Sequence, residues 1–193
     1  MTDGTDRVTG TVDSRQALIR AVRAGARVRY LHFWGHRPRP DGRLGPGCPS
    51  RWWPSPFTVD GVAYATAEHW MTAGKARLFG DAEGERRVLG AAHSAEAEKA
   101  GRLVRGFDEA TWRRERFRIV VEGTGHKFGA HAGLRESLLN TGDRVRVEAS
   151  PVDRVWGIGL AAADEAAQDP ERWRGPNPLG FALMAARERL RAG

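Results

Sequence analysis

The sequence predicts a mainly α fold with a few short β-strands, built as one compact domain. Three observations predict it. Apolar residues recur at helical spacing from about residue 66 to residue 140, with Gly80, Gly106 and Gly142 as punctuation. Strand-like alternation is confined to short stretches. No internal repeat or linker divides the 193 residues, a length that suits a single core.

Taken in order, residues 1–13 carry Gly, Thr and Asp without periodicity and read as a disordered tail, so the domain is placed at 14–193. Residues 14–24 predict a helix with Ala17, Leu18, Ala21 and Val22 on one side. Residues 27–34 alternate Val28, Tyr30 and His32 with Arg29, Leu31 and Phe33, as a strand does. Residues 35–53 hold four prolines and four glycines and read as a long loop, whose length suggests function. Residues 57–64 predict a hairpin turning at Asp60-Gly61. Helices are expected at about 66–79, 82–92, 94–105, 108–128 and 130–140. Short extended pieces are expected at 145–148 and 155–157, a helix near 160–167, and a last helix at 178–191 with Leu179, Leu183, Ala186 and Leu190 on one face.

The helix expected after Thr66 carries the most chemistry. Glu68 and Lys75 are seven residues apart, close to two turns, so an acid and an amine share one stripe. Lysine is scarce: of 31 basic residues, only Lys75, Lys99 and Lys127 are Lys. Arg stays charged, whereas a desolvated Lys loses its proton and can attack carbon. The plainer reading is that Glu68 complements the positive end of its helix and that Lys75 is a solvated surface residue.

The net charge of +7 suits an anionic partner, and the absence of a compact Lys/Arg block favours a phosphate-bearing ligand over nonspecific duplex binding. One cysteine, Cys48, rules out an internal disulfide and points to a reducing, cytoplasmic setting. No apolar run reaches the length of a membrane span, so no membrane partner is expected. The six histidines lack metal-ligand spacing, and neither a metal nor a cofactor is predicted.

Further motifs are weighed on their surroundings. Trp52, Trp53, Pro54, Pro56 and Phe57 can stack on a base or can pack beneath a loop. Asp153 and Trp156 lie three residues apart beside glycines that permit close approach of a ligand. Gly157-Ile158-Gly159-Leu160-Ala161-Ala162 fits G-x-G-x-x-A, but no βαβ repeat surrounds it. Gly123-Thr124-Gly125-His126-Lys127 lacks the ending of a phosphate-binding loop.

Taken together, these segments resemble the NADAR family, also called YbiA-like. The blocks that carry the resemblance are Phe33-Trp34-Gly35-His36, Trp53-Pro54-Ser55-Pro56-Phe57, Tyr64 to His69, Lys75 to Asp81, Gly106-Phe107-Asp108 with Trp112, Leu138 to Gly142, Glu148 to Gly159, and Trp173-Arg174-Gly175 with Asn177. They run in order over nearly the whole chain. The resemblance implies a compact, mostly helical domain with N-glycosidase activity on N-ribosides that carry phosphate. Two substrate groups are implied: ADP-ribose attached to guanine, as nucleoside or in DNA, and phosphorylated ribosylamino-pyrimidine intermediates of riboflavin synthesis. It implies catalytic parts for Glu68, Lys75 and Asp153. Substrate contacts are implied for Phe33, Trp34, Gly35, His36, Arg51, Trp53, Trp112, Trp156 and Asn177. Arg51 departs from the Asn or Gln expected before the aromatic pair, and prolines flank Asn177. A competing class, a non-catalytic ADP-ribose or nucleic-acid binding module, needs the aromatic and Arg groups but neither Glu68 nor Lys75.

Overall fold

The computed structural model describes residues 12–41 and 43–193. The tail expected at 1–13 lies, except for Val12 and Asp13, outside the described residues. Helix α1 (Arg15–Arg23) opens on Ser14, whose hydroxyl accepts from the Ala17 amide, and it buries Leu18. Strand β1 (Tyr30–Phe33) follows. Strands β2 (Phe57–Val59) and β3 (Val62–Tyr64) form an antiparallel hairpin. Asp60 and Gly61 both have positive φ, 48° and 77°, as a type I′ turn requires.

Five helices come next: α2 (Ala67–Leu78), α3 (Ala82–Leu89), α4 (Ser94–Gly101), α5 (Glu109–Ala130) and α6 (Ala132–Leu139). Strand β4 (Val145–Glu148) and helix α7 (Pro178–Ala192) complete the domain. The expected mainly α class with a few short strands is therefore what the chain forms. Two local expectations are corrected. Residues 155–157 form bends rather than a strand, and 160–167 hold only a 3-10 turn at Glu165–Gln168. Asp164 explains the second: its carboxylate accepts from the Ala161 amide, and its own amide donates to the Ala161 carbonyl. That tight turn competes with a continuous helix. The Ala167 carbonyl is also taken, by the Trp173 indole at 2.9 Å.

Helix α5 is the spine, with α2, α6 and α7 packed on it around Met71, Trp112, Ile119, Val120, Phe128 and Leu183. A second cluster, including Leu18, Val145, Val147, Ile158 and Trp173, covers one face of the strand pair. Phe57 and Tyr64 of the hairpin pack with Ala73, Val88 and Ala97. Among the described residues no helix is long and apolar enough to cross a membrane.

Helix α5 approaches α2 closely because Gly123 has no side chain. A Cβ there would overlap the Trp70 ring, whose Nε1 donates to the Ile119 carbonyl at 2.9 Å. Gly123→Ala is therefore expected to destabilise the fold by about 1–3 kcal/mol, read from urea denaturation. An unchanged midpoint would show that the two helices have room to spare.

Strands β1 and β4 pair in parallel, with Phe33 opposite Glu148. Both strands therefore end at the same edge, and their continuations, Trp34 to His36 and Ala149 to Trp156, leave it together. Crevices for ligands form outside the carboxyl ends of parallel strands. The start of α2 meets that edge through Arg51, whose carbonyl accepts from the Glu68 amide at 3.0 Å.

Candidate active site

A cleft of about 540 Å³ opens at the shared edge. The continuation of β1 supplies Trp34, Gly35 and His36. The long loop supplies Ser50, Arg51 and Trp52. Glu68 and Met71 come from α2, and Glu98 from α4. Strand β4 ends on Glu148, and the segment after it supplies Ser150 and residues 152–156.

The loop that bears Arg51 is pinned from below. Lys127 on α5 is buried and its Nζ donates to the carbonyls of Cys48 at 2.6 Å and Ser50 at 2.7 Å. Burial pushes its ammonium down to about 7. This lysine anchors a loop from the core side.

Glu68 sits in the first turn of α2, where the helix N-terminus favours a carboxylate. Thr66 caps the helix, and its Oγ1 also meets His69 Nδ1 at 2.9 Å and Ser94 Oγ at 3.0 Å. Glu68 is only 1% exposed. Its Oε2 accepts from Arg51 Nη1 at 2.8 Å, and Thr72 reaches Oε1 at 3.4 Å. Burial raises the Glu68 pKa, while Arg51 acts against that rise. Arg51 also lies over the Trp156 ring, 4.5 Å from its centroid, and Arg116 approaches the same ring at 5.4 Å.

Glu148 ends β4. Its Oε2 is shielded from solvent and has no hydrogen-bond partner. Burial pushes this carboxyl up to about 7. Arg51 opposes the rise, and the negative charges of Asp153 and Glu68 add to it. Two carboxyl groups thus share the field of one buried guanidinium. Glu68 holds the ion pair and Glu148 does not, so Glu148 retains its proton through acidic pH up to about 7.

Of the residues singled out in the sequence, Glu68, Asp153, Trp34, Gly35, His36, Arg51 and Trp156 line the cleft. Asp153 is partly committed: its Oδ1 accepts from the amides of Val155 and Trp156, both at 2.8 Å. It thereby shapes the turn that presents Trp156. Trp34, 58% exposed, stands at the rim, and His36 lies beside Trp52 with ring centroids 5.2 Å apart.

Phe33, Trp53, Trp112 and Asn177 lie outside the cleft lining, buried in the core. Asn177 adopts a left-handed conformation at φ 59°. Its side chain donates to the Arg146 carbonyl at 2.8 Å and accepts from the Glu148 amide at 3.0 Å. It fixes the backbone from which Glu148 projects. Lys75 is also outside the lining. Its Nζ donates to the Gly101 carbonyl at 2.9 Å and lies 4.2 Å from the Phe107 ring centroid. Gly101 is three residues beyond Glu98 on α4, which sets the amine about one helical turn from a cleft residue. Burial lowers the Lys75 pKa, with Glu109 opposing.

Sequence reasoning missed Glu148 and Glu98 as site residues. For Glu148 a signal existed: Val145-Arg146-Val147-Glu148 alternates, and an acid that closes a short strand before Ser150-Pro151 sits where parallel strands deliver ligand groups.

A mainly α domain with a short parallel strand pair feeding an acid- and aromatic-lined cleft is the class these features define. The chain belongs to the NADAR family, whose domain pattern matches residues 32–191. It is 40% identical over 145 residues to N-glycosidase R617 of Acanthamoeba polyphaga mimivirus, covering 72% of this chain and 85% of that protein. It is 29% identical over 141 residues to riboflavin biosynthesis protein VVA0006 of Vibrio vulnificus, covering 73% of this chain but 35% of that protein. The NMR structure of the E. coli protein YbiA superimposes with a TM-score of 0.66 at 25% identity, over 86% of this chain and 88% of YbiA.

Proposed function

We propose that this NADAR-family enzyme, a hydrolase of N-glycosyl bonds, removes ADP-ribose from ADP-ribosylated guanine. The observation that carries the reading is the pair of buried carboxyl groups around Arg51 in one aromatic-walled cleft. The relatives named N-glycosidase support the reaction class. Cleaving an N-riboside breaks the bond between ribose C1 and a base nitrogen. The electron pair leaves with the base, and positive charge develops at C1.

Protonated Glu148 gives its proton to the departing base nitrogen. Ionised Glu68 faces the cation at C1 and draws a proton from the attacking water, so ADP-ribose and free base are the products. The same division of labour between two carboxyl groups operates in glycosidases. Trp52 and Trp156 wall the base, and Trp34 covers it from the rim. Arg154, exposed at the cleft, and Arg51 meet the pyrophosphate. Asp153 positions Trp156 and holds up the Glu148 pKa.

The second reading, a phosphorylated ribosylamino-pyrimidine as substrate, is favoured by the likeness to the Vibrio riboflavin biosynthesis protein. The two are separated by kcat/KM on ADP-ribosylated guanosine and on the pyrimidine ribotide, with released base measured by chromatography. The guanosine adduct is expected to be cleaved at least about tenfold more efficiently, a gap of roughly 1.4 kcal/mol in transition-state binding. The reverse order would reassign the substrate. ADP-ribose binding with release of neither base would make the protein a binding module.

In a covalent route that replaces direct attack by water, the neutral Lys75 amine bonds to C1 as the base leaves, the sugar ring opens to an imine, and water hydrolyses the imine to release ADP-ribose and the free amine. Borohydride added during turnover is then expected to leave a covalent sugar adduct on wild type and none on Lys75→Arg. An unmodified wild-type mass with substrate fully consumed would leave Lys75 as a hydroxyl or phosphate ligand.

A further inference from the structure

A second cavity, of about 430 Å³, lies between the strand pair, the loop at 44–49 and the end of α6. No residue lines both it and the cleft. Its walls are apolar at Leu31, Leu44, Phe128 and Leu138, and its polar groups converge from Ser137, Asn140 and Arg146. Among the described residues no carboxylate lines it.

Arg146 is 5% exposed, and its guanidinium is placed on this wall by the alternation of β4, which turns Val145 and Val147 to the other face. Among the described residues no carboxylate pairs with it, and its Nε has no hydrogen-bond partner. Its guanidinium lies over the Phe33 ring, 4.9 Å from the centroid. Arg144 lines the same cavity, and Arg187 stands behind it with Nη1 on Thr141 Oγ1 at 2.8 Å and on the Arg144 carbonyl at 3.0 Å. A buried charge without a counter-charge is costly. The positive field of Arg144 and Arg187 adds to that cost, and burial with these neighbours lowers the Arg146 pKa to about 10.

We propose that this cavity is a second ligand site, for a phosphate monoester whose dianionic head pairs with Arg146. Two cavity-lining guanidinium groups, Arg146 and Arg144, with no acid on the cavity wall among the described residues, favour a dianion over a monoanion such as acetate. Apolar walls and a volume well beyond one ion favour a phosphate that carries a small organic body over free phosphate. The site does not depend on the reaction assigned to the cleft.

The test is calorimetry and thermal unfolding of the intact protein with inorganic phosphate, ribose 5-phosphate and acetate, each against sodium chloride at matched ionic strength. Ribose 5-phosphate is expected to bind saturably and to raise the unfolding temperature. Inorganic phosphate is expected to do so more weakly, and acetate not at all. Arg146→Met is expected to weaken ribose 5-phosphate at least tenfold. Ser137→Asp, on the half-buried face of α6, places a competing carboxylate in the cavity without removing the arginine and is expected to do the same. Saturating ADP-ribose is expected to leave the ribose 5-phosphate isotherm unchanged. Binding that survives both substitutions, that vanishes with ADP-ribose, or that chloride reproduces would overturn the proposal. Should Arg146→Met fail to fold, the Ser137→Asp isotherm alone decides.

Discussion

Glu148→Gln is expected to lower kcat/KM by about 10²–10⁴-fold, the usual contribution of a positioned general acid. Gln keeps the shape of Glu but has no proton to give to the leaving base. The fold should be retained. Oε2 of Glu148 makes no hydrogen bond, and the backbone is held independently by Asn177 through the Glu148 amide. The folded wild type binds this proton up to about pH 7, whereas an exposed Glu releases it near 4.5. Between those values the native state binds more protons than the unfolded chain, so this group's effect is to reduce stability as pH rises through the window. Glu148→Gln is therefore expected to flatten that part of the stability profile while it removes turnover. A variant with near-normal turnover would take Glu148 out of the reaction.

Glu68→Gln has a double effect. Turnover is expected to fall by about 10²–10⁴-fold, because the charge that faces C1 is gone. Stability is expected to fall by roughly 1–3 kcal/mol, because Arg51, 9% exposed, keeps only a neutral acceptor in place of its ion-pair partner. Kinetics normalised to folded protein separate the two. If kcat/KM per folded molecule stays at the wild-type value while the unfolding midpoint drops, Glu68 is a structural partner of Arg51 and nothing more.

Much of this site was legible one residue at a time. Thr66 announced the helix that carries Glu68, and Asp60-Gly61 announced the hairpin before it, because both are local chemistry that needs no distant partner. Trp156 and Asp153 were found beside their glycines for the same reason. Glu148 was hidden because its burial is non-local. Val-Arg-Val-Glu reads as a strand with one wet face until β1 pairs alongside and α7 packs on β4. The same non-locality conceals Arg146.

The family blocks also mix two kinds of residue that sequence alone does not separate. Trp34 and Trp156 face the cleft, while Phe33, Trp53, Trp112 and Asn177 are packed beneath it. The case of Asn177 shows why: a left-handed residue that bridges two strand backbone groups is as tightly specified as one that touches substrate. The missing helix at 160–167 was a matter of propensity losing to the turn that Asp164 closes.

The pH dependence of kcat/KM for release of guanine base from ADP-ribosylated guanosine tests the central claim most directly. Glu148 must be protonated and Glu68 ionised, so the profile is expected to rise as Glu68 ionises and to fall above an apparent pKa near 7 as Glu148 loses its proton. In Glu148→Gln the falling limb should disappear while the acidic limb remains. A wild-type rate that keeps rising through pH 8, or a falling limb that persists unchanged in Glu148→Gln, would contradict the assignment of Glu148 as the acid that releases the base.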